Sequence, residues 1–225
     1  MPQAPAKPLP PVPPAEFREA DIATMSAPAL LAIVKDAAAP EFKKAKACVR
    51  LGELGAKDAI PVLATLLAND HLNVYARSGL EPMAGPEADD ALRAAMPKLK
   101  GNPLIGVINS LGKRRDPKAI PALAKLLSGP DQETARAAAA SSLGSIGGPQ
   151  AQKDLQSALP KTNGLVKLAV ADAILICAER YLADGKRAEA LALFSSMSAP
   201  EIPKPMRLAA MNAIIREETS ATRPR

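Results

Sequence analysis

The side chains best suited to bind a ligand form a basic group near the middle of the chain. It consists of Lys113, Arg114, Arg115, Lys118 and Lys125. Residues 101–130 contain these five basic residues and one acidic residue, a net charge of +4, against +6 for the whole chain. Clustered ammonium and guanidinium groups attract phosphates and other anions. Charged residues at a turn, however, are often simply exposed to solvent and bind nothing. The group is a candidate partner-binding site, and a solvated turn is the favoured alternative.

Residues able to act as catalysts or metal ligands are scarce. The sequence has one histidine, His71, and two cysteines, Cys48 and Cys177, which stand far apart. We predict that His71 lies on a solvated turn and that both cysteines are buried as small apolar side chains. The CxxC, HExxH and GxSxG spacings and a glycine-rich phosphate loop do not occur. The sequence therefore predicts a chain without catalytic residues, metal or cofactor, which is not an enzyme.

One acidic cluster needs a separate explanation. Glu87, Asp89 and Asp90 stand at the predicted start of a helix. Carboxylates in that position stabilise the helix dipole, and we favour this role over a metal site.

A repeat of about thirty residues positions these side chains. The segments 51–67 and 111–127 are identical at nine of seventeen positions and are offset by 60 residues. Four units follow one another, at 41–70, 71–100, 101–130 and 131–161, each predicted to be a helix, a turn and a second helix. Four apolar positions recur in every unit with spacings of 8, 4 and 4 residues. They are Leu51, Leu80, Leu111 and Leu143; Ala59, Ala88, Ala119 and Ala151; Leu63, Leu92, Leu123 and Leu155; and Leu67, Met96, Leu127 and Leu159.

The ends of the chain depart from this pattern. Residues 1–15 are rich in proline and are predicted to be a disordered or extended lead-in. Residues 16–40 are predicted to cap the array, with a helix that Ser26 caps and that runs to about Lys35. A longer fifth unit has predicted helices at 165–183 and 186–197. A terminal helix at 206–217 is the last element of the array at 41–217; either it caps the array or the chain is cut from a longer one. Residues 218–225 are predicted to be a disordered tail.

Composition supports helices throughout. Hydrophobic residues make up 48% of the chain but aromatic residues only 2%, so small aliphatic side chains dominate and suit closely packed helices. The most apolar segment, 165–182, carries four charged side chains, which predicts a buried helix of a soluble protein and no transmembrane segment. The proline-rich start is not a secretory signal, and the compartment stays open between the cytoplasm and, if a signal has been removed, the periplasm or the exterior.

The repeated motifs resemble HEAT repeats, and more narrowly the HEAT-like repeat of the phycobilisome-lyase type. The first unit carries the motifs Arg50-Leu51-Gly52-Glu53-Leu54-Gly55 and Ala59-Ile60-Pro61-Val62-Leu63, and the fourth carries a similar run at 136–147. The resemblance covers about 41–217 and implies an all-α fold, a right-handed α-solenoid of helix-turn-helix repeats. The second unit departs from the motif with Ser78-Gly79 and Glu81-Pro82, which predicts a kink in its first helix.

The resemblance implies a protein-binding or scaffold function on the concave face, to which second helices contribute. Deoxyhypusine hydroxylases of the HEAT type bind iron through paired His-Glu motifs, which a single histidine excludes. One alternative is a lyase-type subunit or chaperone for a bilin-like chromophore protein. Another is weak nucleic-acid binding through the basic turn, disfavoured because aromatic stacking residues are scarce. The identity of the partner and the oligomeric state stay open. The candidate contacts on second helices are Thr65, Arg93, Lys125, Gln156 and Ala192.

Overall fold

The computed structural model describes residues 22–221, which form twelve α-helices and contain no strand. The predicted all-α fold is confirmed. The helices are α1 (Ala27–Lys35), α2 (Glu41–Glu53), α3 (Ile60–Thr65), α4 (Asn73–Leu80), α5 (Pro86–Ala95), α6 (Gly101–Arg114), α7 (Ile120–Ser128), α8 (Glu133–Ile146), α9 (Gly148–Ala158), α10 (Gly164–Ala183), α11 (Arg187–Ser196) and α12 (Lys204–Ala221). Short 3-10 turns extend several second helices, for example Met96–Lys98 and Leu159–Lys161.

The helices pair into units that stack into an α-solenoid. Units one to five are α2–α3, α4–α5, α6–α7, α8–α9 and α10–α11, and α12 follows as a further first helix. Of the sixteen recurring apolar positions, only Leu159 is more than marginally exposed. Because the same positions are buried in each unit, they form one continuous core that runs from Ile22 to Ala213.

Glycines in the repeated motif let successive first helices touch. A Cβ atom on Gly52 would lie 2.7 Å from the Cα of Gly79, and one on Gly144 would lie 2.8 Å from the Cα of Ala173. The leucine before each of these glycines points into the core. The Leu-Gly pair of the motif therefore has two roles, filling the core and admitting the neighbouring helix.

The first helix of unit two is shortened and not kinked, so that prediction was wrong. The helix α4 ends at Leu80 with Glu81 as its C-cap residue. Pro82 comes after the helix, where its missing N–H and fixed φ disrupt nothing. Of the successive pairs of first helices from α2 to α10, the pair α4 and α6 has the least extensive contact.

Both ends of the array differ in detail from the predictions. Ser26 is the N-cap residue of α1, but its side chain makes no capping hydrogen bond. The helix α12 continues to Ala221, into the segment predicted to be a disordered tail from residue 218. The lead-in at 1–15, the first part of the 16–40 region and the last four residues lie outside the described part of the chain. No helix within residues 22–221 is long and apolar enough to cross a membrane.

Candidate partner-binding surface

Arg114, at the centre of the basic group, is part of the fold. Its guanidinium donates hydrogen bonds to the carbonyl oxygens of Glu81 (2.7 Å), Met83 (2.7 Å) and Gly85 (3.0 Å) and forms an ion pair with Asp89. Only 9% of the Arg114 side chain is exposed. The carbonyls at a helix C-terminus have no partners within the helix, and here a cation satisfies those that follow α4. Arg114 is therefore not available to a partner, which corrects its assignment as a binding residue.

Two other predicted contacts also have partners within the chain. Lys113 Nζ lies 2.6 Å from Glu81 Oε2, although 71% of the lysine side chain remains exposed. Arg93 forms ion pairs with Asp90 and with Asp116, whose side chain is only 4% exposed. The other Asp116 oxygen accepts a hydrogen bond of 3.0 Å from the backbone N–H of Lys118. Arg93 thus joins unit two to the turn of unit three, which corrects its assignment as an outward contact.

The remaining predicted contacts lie on the surface and are spread over units one, three, four and five. Arg115, Lys118, Lys125 and Ala192 are exposed. Thr65 and Gln156 are also exposed; the hydroxyl of Thr65 donates to the Val62 carbonyl, and Gln156 accepts from the side chain of Gln152. Nucleic-acid binding through the basic turn would therefore depend on Arg115 and Lys118, with Lys113 held at Glu81. The structure provides a different candidate in the same layer of second helices.

Two grooves open between second helices. The first has a volume of about 320 Å³ and lies between α3 and α5; it is lined by Ala64, Thr65, Leu67, Ala68, Ala91, Ala94, Ala95, Lys98 and Leu99. The second has a volume of about 200 Å³ and lies between α7 and α9; it is lined by Ala124, Leu127, Ser128, Arg136, Asp154, Ser157, Ala158, Lys161 and Thr162.

The grooves are built from equivalent positions of the repeat. Ala64, Leu67 and Ala68 of the first correspond to Ala124, Leu127 and Ser128 of the second. On the opposite wall, Ala91, Ala94, Ala95 and Lys98 correspond to Asp154, Ser157, Ala158 and Lys161. Each groove therefore has a lysine at the same end, while the rest of that wall is apolar in the first groove and mostly polar in the second. We call the two grooves together with Lys125 the second-helix face.

The sequence analysis named Thr65 and Lys125, two residues of this face, but did not identify the groove walls. Alanines at helical spacing are indistinguishable from core residues in sequence, and here several of them line a surface groove. The recurring lysine at positions 98 and 161 is the signal that an alignment of the units could have used.

The groups expected to do chemistry are placed as follows. His71 is exposed, and its Nδ1 atom lies 3.7 Å from a carboxylate oxygen of Glu41. Among residues 22–221, no three histidine, cysteine, aspartate or glutamate side chains are grouped so as to hold a metal ion. Both cysteines are unpaired and buried, and burial raises the pKa of each thiol from 9.0 to about 11.

The acidic cluster at the start of α5 is held by two basic residues of other segments, Lys57 and Arg114, and by Arg93 of the same helix. Asp89 pairs with Arg114, Asp90 with Arg93, and Glu87 lies 3.3 Å from Lys57 Nζ. The pKa of Glu87 is lowered, first by a hydrogen bond from its own backbone N–H and second by Lys57. The predicted helix-terminal role is consistent with this arrangement, but the ion pairs between segments were not foreseen.

These features define a class of protein, the helical repeat proteins. Residues 101–174 match the family model for HEAT repeats, which confirms the resemblance over that part of the chain. HEAT repeats generally mediate protein–protein interaction or scaffolding. The narrower resemblance to the phycobilisome-lyase type, and the bilin-related alternative with it, stay predictions. No curated protein is significantly similar to the chain in sequence.

Among solved structures, the chain is similar to human deoxyhypusine hydroxylase in complex with glycerol. The identity is 16% and the TM-score 0.43, over 68% of this chain and 74% of the hydroxylase chain. That protein is an enzyme, so the expectation that this chain is not an enzyme is corrected and withdrawn. At this level of similarity the match assigns no activity to this chain.

Proposed function

We propose that the chain binds an extended segment of a protein partner along the second-helix face. The observation that supports this proposal most is the recurrence of the groove. The same repeat positions form it between α3 and α5 and again between α7 and α9. A stack of rigid helix pairs presents such a face without having to become ordered on binding.

The chemistry of the grooves suggests the chemistry of the partner. The first groove is lined mainly by alanine and leucine, which suits small apolar side chains. The second adds Arg136, Asp154 and Ser157, which suit polar groups. Lys98 and Lys161 stand at equivalent ends, and Lys125 is exposed between the two grooves. We therefore expect a segment with an apolar part, a polar part and acidic residues that meet these lysines.

Site-specific photocrosslinking tests where the partner lies. A photoreactive amino acid replaces Ala94 or Ser157, two exposed residues at equivalent positions in the two grooves. The matched control carries it at Lys43, an exposed residue of the first helix α2. We expect both groove positions to crosslink the same discrete protein from a native lysate and the control position not to do so. Equal crosslinking from all three positions, or recovery of nucleic acid alone, would overturn the proposal.

Charge reversal tests how the partner is recognised. We expect Lys98→Glu/Lys161→Glu to weaken capture of the crosslinked protein about tenfold or more, because two attractive contacts become repulsive. Lys35→Glu/Lys43→Glu reverses two exposed charges away from the grooves and should leave capture unchanged. Equal capture by both variants would contradict an acidic partner segment.

A further inference from the structure

The last helix of the array has an exposed apolar stripe. Leu208, Met211 and Ile215 of α12 are 50%, 48% and 57% exposed. The opposite side of α12 packs on the array through Ala210 and Ala213, which are buried. One side of this helix is thus used by the fold, and the other presents three large apolar side chains to solvent.

The stripe occupies the positions through which an internal first helix contacts the next one. Aligned on the repeat, with Arg207 equivalent to Arg136, the three residues correspond to Ala137, Ala140 and Gly144 of α8. Those three are buried, and Gly144 lies directly against Ala173 of α10. Leucine, methionine and isoleucine in place of two alanines and a glycine would hold another first helix too far away for that backbone contact. The stripe therefore suits a different packing, in which larger side chains interdigitate.

The spacing of the stripe is that of a coiled-coil seam. Adding the charged residue at each end gives Lys204, Leu208, Met211, Ile215 and Glu218, with steps of 4, 3, 4 and 3 residues. At 3.6 residues per turn these five positions lie within an arc of about 80° of the helix surface. Alternating steps of three and four place apolar residues on one line that a second helix can cover.

The charges at the two ends favour a particular orientation of that second helix. Lys204 stands seven positions before Met211, and Glu218 stands seven positions after it. If two α12 helices pair antiparallel about a two-fold axis at Met211, each Lys204 faces the Glu218 of the other copy. Leu208 of one copy then lies near Ile215 of the other. A parallel pairing would instead oppose lysine to lysine and glutamate to glutamate.

We infer that a second copy of this chain covers the stripe, through an antiparallel two-fold pairing of α12 centred on Met211. The pairing buries the three apolar side chains of each copy and forms two symmetry-related pairs between Lys204 and Glu218. Because it uses the outer side of α12, it leaves the grooves of the second-helix face open. The result is a dimer whose two arrays extend away from one joint.

Sedimentation equilibrium of the full chain over a range of concentrations tests this inference. We expect a reversible dimer, with twice the chain mass of 23.4 kDa. Met211→Glu places two like charges at the two-fold axis and should weaken dimerisation roughly 100-fold. The matched control is Val74→Glu, an equally exposed apolar residue on α4, which should leave the dimer unchanged. Circular dichroism should show both variants folded, since each position is exposed.

A charge exchange tests the orientation. Lys204→Glu and Glu218→Lys should each weaken the dimer, because each single change creates like-charge pairs. The double variant Lys204→Glu/Glu218→Lys should restore it. A wild-type chain that stays monomeric at its highest soluble concentration would overturn the inference, as would a dimer that Met211→Glu does not affect. A dimer in which the double variant shows no restoration would overturn the antiparallel arrangement.

Discussion

The junctions that join units three, four and five differ from the junction between units two and three. At the former, small residues let the helices touch: Gly112 faces Ser142, and Gly144 faces Ala173. At the junction between units two and three, the side chain of Arg77 lies against Gly106. A polar side chain therefore occupies the place where two backbones meet at the other junctions. The array thus uses close packing of small residues at some junctions and a network of charged side chains at another.

The polar junction is centred on Glu81 and Arg114. Glu81 accepts hydrogen bonds from Ser110 Oγ (2.8 Å) and Lys113 Nζ (2.6 Å), and Arg114 binds the carbonyls that follow α4. A charge held in this way depends on its partners, since removing one member leaves the other buried without compensation. The comparison shows that one solenoid can join its repeats by shape at some junctions and by charge at another, and substitutions can separate the two.

The largest expected effect is at a close-packed junction. Gly144→Leu places a side chain where the first added carbon would already lie 2.8 Å from the Cα of Ala173. We expect it to lower the free energy of unfolding by about 3 kcal/mol, because α8 and α10 must separate. Urea denaturation followed by circular dichroism measures this change. The control Gln156→Leu adds leucine to an exposed site and should shift stability by less than about 0.5 kcal/mol; equal losses would contradict the close-packing account.

The next largest effect is expected at the polar junction. Arg114→Met keeps the aliphatic stem but leaves Asp89 and several carbonyls without their donor. We expect the free energy of unfolding to fall by about 2 kcal/mol. This loss is smaller than that expected for a fully buried ion pair, because part of the site is in contact with water. Lys113→Met, in the same turn, should cost no more than about 0.5 kcal/mol, since 71% of the lysine side chain is exposed and Glu81 keeps its hydrogen bond from Ser110. A similar loss of stability for both variants would contradict the assignment of a structural role to Arg114 that Lys113 does not share.

A smaller effect of opposite sign is expected one residue later. Arg115 has a φ of 54°, in the left-handed region that glycine adopts without strain. Arg115→Gly should therefore raise the free energy of unfolding by up to about 1 kcal/mol. Thermal denaturation of this variant beside wild type measures the gain. A loss of stability would indicate that the arginine side chain makes a contribution that outweighs its backbone strain.

An effect that is absent at neutral pH concerns the cysteines, which lie in first helices at close-packed junctions. Their folded-state pKa is about 11, above the 9.0 of an unfolded thiol. The stabilisation from keeping them neutral is complete below pH 9.0 and is lost as pH rises towards about 11, because the unfolded chain ionises first. We expect the free energy of unfolding to fall over this range more in wild type than in Cys48→Ala/Cys177→Ala. Equal slopes for the two proteins would contradict the burial of the thiols.

The repeated apolar positions and the all-α fold could be predicted from sequence because each unit specifies its own pattern. Leu51, Leu111 and Leu143 are fully buried, as their spacing indicates. Local periodicity is sufficient for such residues, since the period of a helix decides which side chains point inward.

The role of Arg114 could not be predicted in this way, because its partners lie about thirty residues earlier in the chain. One signal was present: the equivalent positions of the other units hold Leu54, Met83 and Ile146, all apolar. An arginine at such a position points towards an internal partner. The grooves were missed for the opposite reason, since a surface alanine and a core alanine look alike in sequence.

The most direct test of the account separates folding from binding in one experiment. Arg114→Met and Lys98→Glu/Lys161→Glu are compared for stability by urea denaturation and for partner capture by photocrosslinking from position 94. The account predicts that Arg114→Met loses stability but, while folded, still captures the partner, whereas the double charge reversal keeps stability and loses capture. The reverse outcome, a stable Arg114→Met chain that no longer captures the partner, would place the binding site at the basic turn and contradict the account.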